Sequence, residues 1–173
     1  MTGKIRKSSR YGFSLLELMT VVVIVGILSA VATPMLSRYL RKSKTVEAAL
    51  NLRKIYDGES AYYNEERIDV GGTILTKQFL ALSQTPSGLP GRDKRDANWE
   101  AWSSIRFNVD GPVLYSYLVV AAGSGSTAAF TARAIGDQNA DNQTSLFERV
   151  GSVNSTTGEV EGGAAIYTLD ELQ

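Results

Sequence analysis

The chain has 173 residues, and its 18 basic and 18 acidic residues give a formal net charge of zero. It contains no cysteine and no histidine, which excludes disulfides, thiolate or imidazole metal sites, and the commonest general bases and nucleophiles. No carboxylate pair has a spacing that argues for catalysis, so we expect a protein that is not an enzyme. The charge balance also lacks the basic excess of a nucleic-acid-binding protein, and we expect no nucleic-acid partner.

The first predicted element is a membrane-spanning helix. Residues 18–37 contain no charged side chain, and a helix of this length rises about 30 Å, the thickness of a bilayer's hydrocarbon core. Glu17 lies at the start of this run, where a carboxylate costs up to about 2.5–3.5 kcal/mol and therefore needs a partner charge. The basic residues before it predict a cytoplasmic N-terminus: Lys4, Arg6, Lys7 and Arg10.

The segment GFSLLELM at residues 12–19 resembles the processing and assembly motif of type IV pilins and related pseudopilins. The resemblance covers residues 1 to about 65. It implies that a prepilin peptidase cleaves between Gly12 and Phe13 and that Phe13 is then N-methylated. It also implies that Glu17 meets the N-terminal ammonium group of a neighbouring subunit in a filament. The implied partners are other pilin subunits, the peptidase, the inner membrane and the pilus assembly machinery.

This resemblance divides the chain into a leader (1–12), a transmembrane half-helix that becomes the filament core (13–38), and a globular domain (39–173). Without the leader, 14 basic and 18 acidic residues remain, a net charge of −4. Three other interpretations of the apolar run stay open: a secretory signal peptide cut after Ala32, a simple single-pass anchor, and the buried helix of a soluble protein. Glu17 argues against the first two.

We expect the helix to continue beyond the membrane, with a kink at Pro34 because proline cannot donate a helical hydrogen bond. A three-four spacing between residues 45 and 63 predicts an amphipathic second half and a helix of about 50 residues. Leu52, Ile55 and Tyr63 flank the predicted stripe, which consists of Val46, Ala49, Leu50, Arg53, Tyr56 and Ser60. Four basic residues separate the two halves, and they could contact lipid headgroups, acidic groups of neighbouring subunits, or only solvent: Arg38, Arg41, Lys42 and Lys44.

The remainder of the chain predicts an antiparallel sheet. Residues 67–103 form a connector with a short helix predicted at 76–83, a charged exposed loop at 91–96, and Trp99 and Trp102 as core residues. Alternating apolar residues then predict four strands and one further edge strand: 105–109, 114–122, 127–135, 146–153 and 164–169. The expected fold class is therefore α+β, a long N-terminal helix packed on a four-stranded antiparallel sheet, which is also what the pilin resemblance implies.

One loop has the oxygen spacing of an EF-hand calcium site. Asn142 occupies the position where that pattern has glycine, and asparagine tolerates the left-handed conformation needed there. Because strands flank the loop, an Asx-rich hairpin turn is the alternative. No cofactor is expected otherwise. The predicted calcium ligands are Asp137, Asn139, Asp141, Gln143 (through its backbone carbonyl), Ser145 and Glu148.

The sequence thus predicts a structural subunit of a type IV pilus, first in the inner membrane as a single-pass precursor and then in an extracellular filament for adhesion or twitching motility. The missing cysteines contrast with the disulfide-closed C-terminal region of many major pilins, and we therefore favour a minor pilin. The alternatives are a periplasmic pseudopilin of a type II secretion system, and a membrane-anchored binding module that stays uncut at Gly12 and functions through residues 67–103 and 154–173.

Overall fold

The computed structural model describes residues 12–88, 90–163 and 165–172, and the four basic residues predicted for the leader lie outside these ranges. Two compact units are present, one up to Tyr39 and the other from Leu40 onward. A long N-terminal helix and an antiparallel sheet make up the regular structure. The predicted α+β fold class is therefore confirmed.

The helix α1 spans Leu15–Asn64, 50 residues, which confirms the predicted length. It begins after Ser14, whose hydroxyl oxygen accepts a hydrogen bond from the Glu17 amide at 3.2 Å. Serine three residues before glutamate is the spacing of a helix capping box. The helix passes through Pro34 without interruption, and the kink expected at that position stays a prediction.

Within the described residues, six strands form one antiparallel sheet in the order β1-β2-β3-β4-β5, and β6 also pairs with β4. The strand β5 pairs with residues 151–153 and β6 with residues 146–148, so the two short strands lie along different halves of β4. The strands are β1 Leu82–Thr85, β2 Ser116–Ala122, β3 Ala129–Gly136, β4 Ser145–Val153, β5 Val160–Gly162 and β6 Tyr167–Leu169.

The strand predicted at residues 105–109 is wrong. Residues Glu100–Ile105 form a 3-10 helix that ends at Arg106, which has a left-handed backbone conformation with φ 54°. Trp99, Trp102 and Ile105 are all buried, and their spacing of three matches the three residues per turn of a 3-10 helix. The apolar residues at 105, 107 and 109 alternate as in a strand, but the chain forms no strand there. Burial of both tryptophans confirms them as core residues.

The short helix predicted at residues 76–83 is also wrong, because residues 76–81 have no regular structure and the chain then enters β1. Backbone groups in this segment bond to other elements and not along a helix. The Leu80 amide donates to the Glu59 carboxylate at 2.9 Å, and the Lys77 carbonyl accepts from the Gly125 amide at 2.7 Å. The predicted edge strand at 164–169 shrinks to β6, and β5 was not predicted.

The core of the globular unit lies between one face of α1 and the inner face of the sheet. Tyr56 and Tyr63 of the helix contact Phe130 and Phe79, with ring centroids 5.7 and 4.9 Å apart. The predicted stripe is shifted, because Val46 and Leu50 are exposed while its flanking residues Leu52, Ile55 and Tyr63 are buried. The buried helix positions do recur every three or four residues, as in an amphipathic helix. They are Thr45, Ala48, Asn51, Leu52, Ile55, Glu59 and Tyr63.

The 3-10 helix approaches α1 at Gly58. A side-chain carbon placed on Gly58 would overlap the carbonyl oxygen of Ile105. We expect Gly58→Ala to destabilise the globular unit by about 1–3 kcal/mol, since overpacking outweighs the gain in helix propensity of about 1 kcal/mol. Thermal unfolding of the full chain in detergent measures this. Gly91→Ala is the control, because nothing lies within 4 Å of that position. A higher melting temperature for Gly58→Ala would contradict the close approach.

Glu59 is a fully buried carboxyl group in this core. Its Oε2 accepts the Leu80 amide, while its Oε1 has no partner among the described residues. Burial raises the pKa of Glu59 from 4.5 to about 7, against the opposing effects of the Leu80 hydrogen bond and the Arg67 charge. In the folded protein the Glu59 carboxyl group therefore stays protonated up to a pH of about 7.

Stability should consequently fall as pH rises from about 4.5 to about 7. In that window the unfolded chain has released the Glu59 proton and the folded chain still holds it, so ionisation favours unfolding by up to about 3 kcal/mol. Chemical unfolding at several pH values measures the slope. Glu59→Gln should flatten it, whereas Glu66→Gln, at an exposed position, should leave it unchanged. An equal slope in Glu59→Gln would assign the pH dependence to other groups.

Candidate functional site

The predicted cleavage position lies just before the helix. Gly12 and Phe13 are exposed and outside regular structure, and no atom lies within 4 Å of a side-chain carbon placed on Gly12. Phe13 exposes 75% of its surface. No described residue therefore blocks access of an enzyme to the peptide bond between Gly12 and Phe13.

Glu17 stands in the first turn of α1. The positive end of the helix dipole favours a carboxylate at this position. Among residues 12–88, 90–163 and 165–172, no side chain or backbone group donates a hydrogen bond or ion pair to the Glu17 carboxylate. The described part of the chain therefore supplies no partner charge for Glu17.

The apolar run itself has no partner within its own unit. Every described residue from Gly12 to Leu40 is exposed, including the leucine, isoleucine and valine side chains of the uncharged run. In the described residues, α1 is the one helix that is apolar and long enough to cross a membrane. An exposed apolar surface of this extent indicates contact with lipid or with other helices.

Both threonine hydroxyl groups inside the run are satisfied locally. The Thr20 hydroxyl donates to the Leu16 carbonyl at 2.9 Å, and the Thr33 hydroxyl donates to the Ser29 carbonyl at 2.8 Å. These bonds remove the cost of carrying a free hydroxyl group into an apolar environment. Glu17 is left as the one unpaired charge in the described part of the run.

The proposed calcium loop connects β3 to β4. The two Asp137 carboxylate oxygens accept the amides of Ala140 at 2.7 Å and Asn142 at 3.1 Å, and Asp137 is buried. Asp141 accepts the Gln143 amide at 2.8 Å. Asn142 has φ 67°, the left-handed conformation predicted for it. These contacts are those of the alternative prediction, an Asx-rich hairpin turn.

Ser145 and Glu148, the last two predicted calcium ligands, contact residues outside the loop. The Ser145 hydroxyl donates to the Gly136 carbonyl at 3.1 Å. Glu148 forms an ion pair with Arg133, which is its register partner on β3. The structure thus brings Asp137, Asn139 and Asp141 together without Glu148. No group of three or more acidic, histidine or cysteine residues in the described ranges is placed to hold a metal ion. The calcium site stays a prediction.

The loop offers a direct test. Asp137→Ala should lower stability by about 1–3 kcal/mol with or without calcium, because it leaves two backbone amides without their acceptor. Asp141→Ala, at an exposed position, should cost less. Melting temperatures of both variants in millimolar calcium or magnesium measure the effect. A calcium-specific rise in the wild-type melting temperature that Asp141→Ala abolishes would establish the metal site and contradict a purely structural loop.

Sequence reasoning missed two features near these sites. The first is the Ser14 cap, which the serine-to-glutamate spacing before an apolar run could have revealed. The second is a polar cluster on the buried face of α1. Asn51 donates to the Tyr117 hydroxyl at 2.9 Å, and Glu47 accepts the Leu114 amide at 2.9 Å. Asn51 and Glu59 share a helix face with Leu52 and Ile55, which the prediction treated only as flanking its stripe, and that shared face was the available signal.

Comparisons with known proteins agree with this geometry. Residues 7–33 match the family described as the prokaryotic N-terminal methylation motif. The type IV major pilin protein PilA of Myxococcus xanthus is 42% identical over 55 residues, which are 32% of this chain and 25% of PilA. The type IV major pilin protein PilE1 of Neisseria gonorrhoeae is 30% identical over 89 residues, 51% of this chain and 47% of PilE1.

The type IV major fimbrial protein FimA of Dichelobacter nodosus is 34% identical over 103 residues, 53% of this chain and 64% of FimA. The chain thus spans less than two thirds of each of these relatives. No solved structure matches the chain at comparable significance. A long helix packed on an antiparallel sheet, with a methylation motif at the helix start, is consistent with the type IV pilin fold. The chain is similar to type IV pilins in this motif and in the segments that it shares with these relatives.

Proposed function

We propose that this chain is a structural, non-enzymatic subunit of a type IV pilus. A prepilin peptidase cleaves the precursor between Gly12 and Phe13, and Phe13 is N-methylated. Residues 13–38 hold the subunit in the inner membrane until the assembly machinery adds it to an extracellular filament for adhesion or twitching motility. The observation that carries this proposal is the fully exposed apolar run, with Glu17 unpaired at its start.

The chemistry of that run favours a filament over a simple anchor. Packing many copies of the same helix removes the exposed apolar side chains from water once the subunit leaves the bilayer. The Glu17 carboxylate then needs a cation in a medium of low dielectric constant, and the new amino group of Phe13 on a neighbouring copy supplies one. Such a contact is head-to-tail, so it propagates along an open helix and does not close into a dimer.

The subunit is either a minor or a major component of the pilus, and one observation favours each. The missing cysteines favour a minor pilin. The relatives, however, are named major pilins and a major fimbrial protein, which favours a major subunit. In this chain β5 and β6 pair with β4 and hold residues 160–162 and 167–169 to the sheet, so attachment of these segments does not require a disulfide. The abundance of the chain in purified filaments separates the two candidates.

We expect Glu17→Ala to be cleaved and methylated normally but to be depleted from filaments by about tenfold or more, because it leaves the neighbouring ammonium group buried without a partner. Quantifying the chain in sheared filaments and in membranes measures the ratio. Glu66→Ala, which removes an exposed carboxylate in the globular unit, is the matched control. Normal incorporation of Glu17→Ala would contradict the charge pair, and loss of secretion with intact surface fibres would indicate a secretion pseudopilin.

A further inference from the structure

An open pocket of about 470 Å³ lies within the globular unit, beside the part of α1 that follows the apolar run. One wall consists of Ser43, Lys44 and Glu47 on α1, and the other of residues 92–94 in the connector. Leu114 completes the lining. The pocket therefore joins the basic segment of the helix to the charged loop, two features that the sequence places about 50 residues apart.

Hydrogen bonds hold the two walls in place. The Leu114 amide donates to Glu47 Oε1 at 2.9 Å, which ties this part of the chain to α1. The backbone groups of Val113 and Arg95 exchange two hydrogen bonds, of 2.8 and 2.9 Å. The Arg95 guanidinium also donates to the Ser87 carbonyl at 2.9 Å. The loop that carries Arg92 and Lys94 is thereby fixed beside the helix.

The pocket is basic, and its cations are available. Lys44, Arg92 and Lys94 make no hydrogen bond or ion pair with any described residue. The lining also contains two acidic residues, Asp93 and Glu47, which leave it a net charge of +1. Asp93 is exposed, and Glu47 is already bonded to the Leu114 amide and accepts the Tyr117 hydroxyl at 3.4 Å. Three unpaired cations around one pocket favour an anionic ligand with several oxygen acceptors, and a phosphate group has this chemistry.

The position of the pocket along the chain indicates where such a phosphate comes from. Lys44 follows Ser37, the last residue of the uncharged run, by seven residues, so the chain holds it within about 25 Å of the membrane-spanning segment. Arg41 and Lys42 lie closer still. Basic residues next to a membrane-spanning helix are attracted to anionic lipid headgroups. A lipid phosphate is therefore the phosphate that the chain meets first.

We infer that this pocket binds the headgroup phosphate of an anionic phospholipid while the subunit is held in the membrane. The inference rests on the proposed function in one respect, that residues 13–38 lie in a bilayer. The bound headgroup orients the globular unit at the membrane surface, and transfer to the filament releases it. Arg92 and Lys94 are the contacts contributed by the connector, and Lys44 is the contact contributed by α1.

Native mass spectrometry of the full chain in a mild detergent tests the inference. The chain is titrated with phosphatidylglycerol or with phosphatidylcholine of the same acyl chains. We expect preferential binding of phosphatidylglycerol. The double variant R92Q/K94Q should weaken this binding about 20-fold, since each cation near an anionic headgroup contributes about fivefold. The control R53Q/K54Q removes the same charge from exposed positions on α1 that do not line the pocket, and it should bind like the wild type.

Equal binding of the two lipids, or an equal loss in R53Q/K54Q, would overturn the pocket as a specific site. A preference that survives R92Q/K94Q but is lost in R41Q/K42Q would overturn the role of the connector. Displacement of the lipid by millimolar glycerol phosphate would show a site for free phosphate and overturn the lipid assignment. Binding of an oligonucleotide through Arg92 and Lys94 without any lipid preference would overturn it in favour of nucleic acid.

These outcomes are separable from the proposed function. A chain that is absent from filaments but selects phosphatidylglycerol would overturn the pilus assignment and leave the pocket standing. A chain that enters filaments but binds both lipids equally would overturn the pocket alone. R92Q/K94Q should enter filaments once assembly begins, because neither residue lies in the uncharged run or near Glu17 in the sequence.

Discussion

The structure depends on one constraint, which is that the uncharged run at residues 18–37 cannot stay in water. None of its side chains is buried within its own unit, so the run needs either lipid or other helices. Two of its hydroxyl groups suit both environments, because Thr20 and Thr33 bond to the helix backbone. Glu17, just before the run, differs because no described residue pairs with its carboxylate, and a carboxylate in an apolar environment needs a partner charge. Under the proposed function, membrane insertion and filament assembly are two solutions to the same physical problem.

In the globular unit, the second half of the same helix forms part of a hydrophobic core. There α1 buries a stripe of residues against the sheet, and small or polar side chains fix the contact at chosen points. Gly58 lets the 3-10 helix approach, Glu47 and Asn51 tie the helix to residues 114 and 117, and Glu59 binds the segment before β1. Burial of the Glu59 carboxyl group raises its pKa to about 7, so we expect the stability of the unit to depend on pH. The connector between helix and sheet is therefore held at both ends, and its charged loop lies beside the basic start of the unit.

The sequence predicted those parts whose signal is local and long. The 50-residue helix and the strands β2, β3 and β4 follow from extended periodic patterns, and the residues GFSLLELM identified the motif at the helix start. Short elements were lost because three or four residues hold too little periodicity. Phe79 and Leu82 have helical spacing but do not lie in a helix, and Ile105 and Phe107 alternate like a strand but surround the end of a 3-10 helix. In the predicted calcium loop, the spacing correctly indicated that Asp137, Asn139 and Asp141 lie close together. It could not show that Glu148 pairs with Arg133 on the neighbouring strand. The basic pocket depends on a contact between distant segments, which no local pattern reveals.

The central claim is that the chain is cleaved before Phe13 and reaches a surface filament. The most direct test is the intact mass of the native protein, measured separately in sheared surface filaments and in the inner membrane. The account predicts a product in the sheared fraction that begins at Phe13 and carries one added methyl group. An uncleaved chain, or a product cut after Ala32, would contradict the account at its first step. The processed mass confined to the cell envelope would contradict a surface pilus and indicate a secretion pseudopilin.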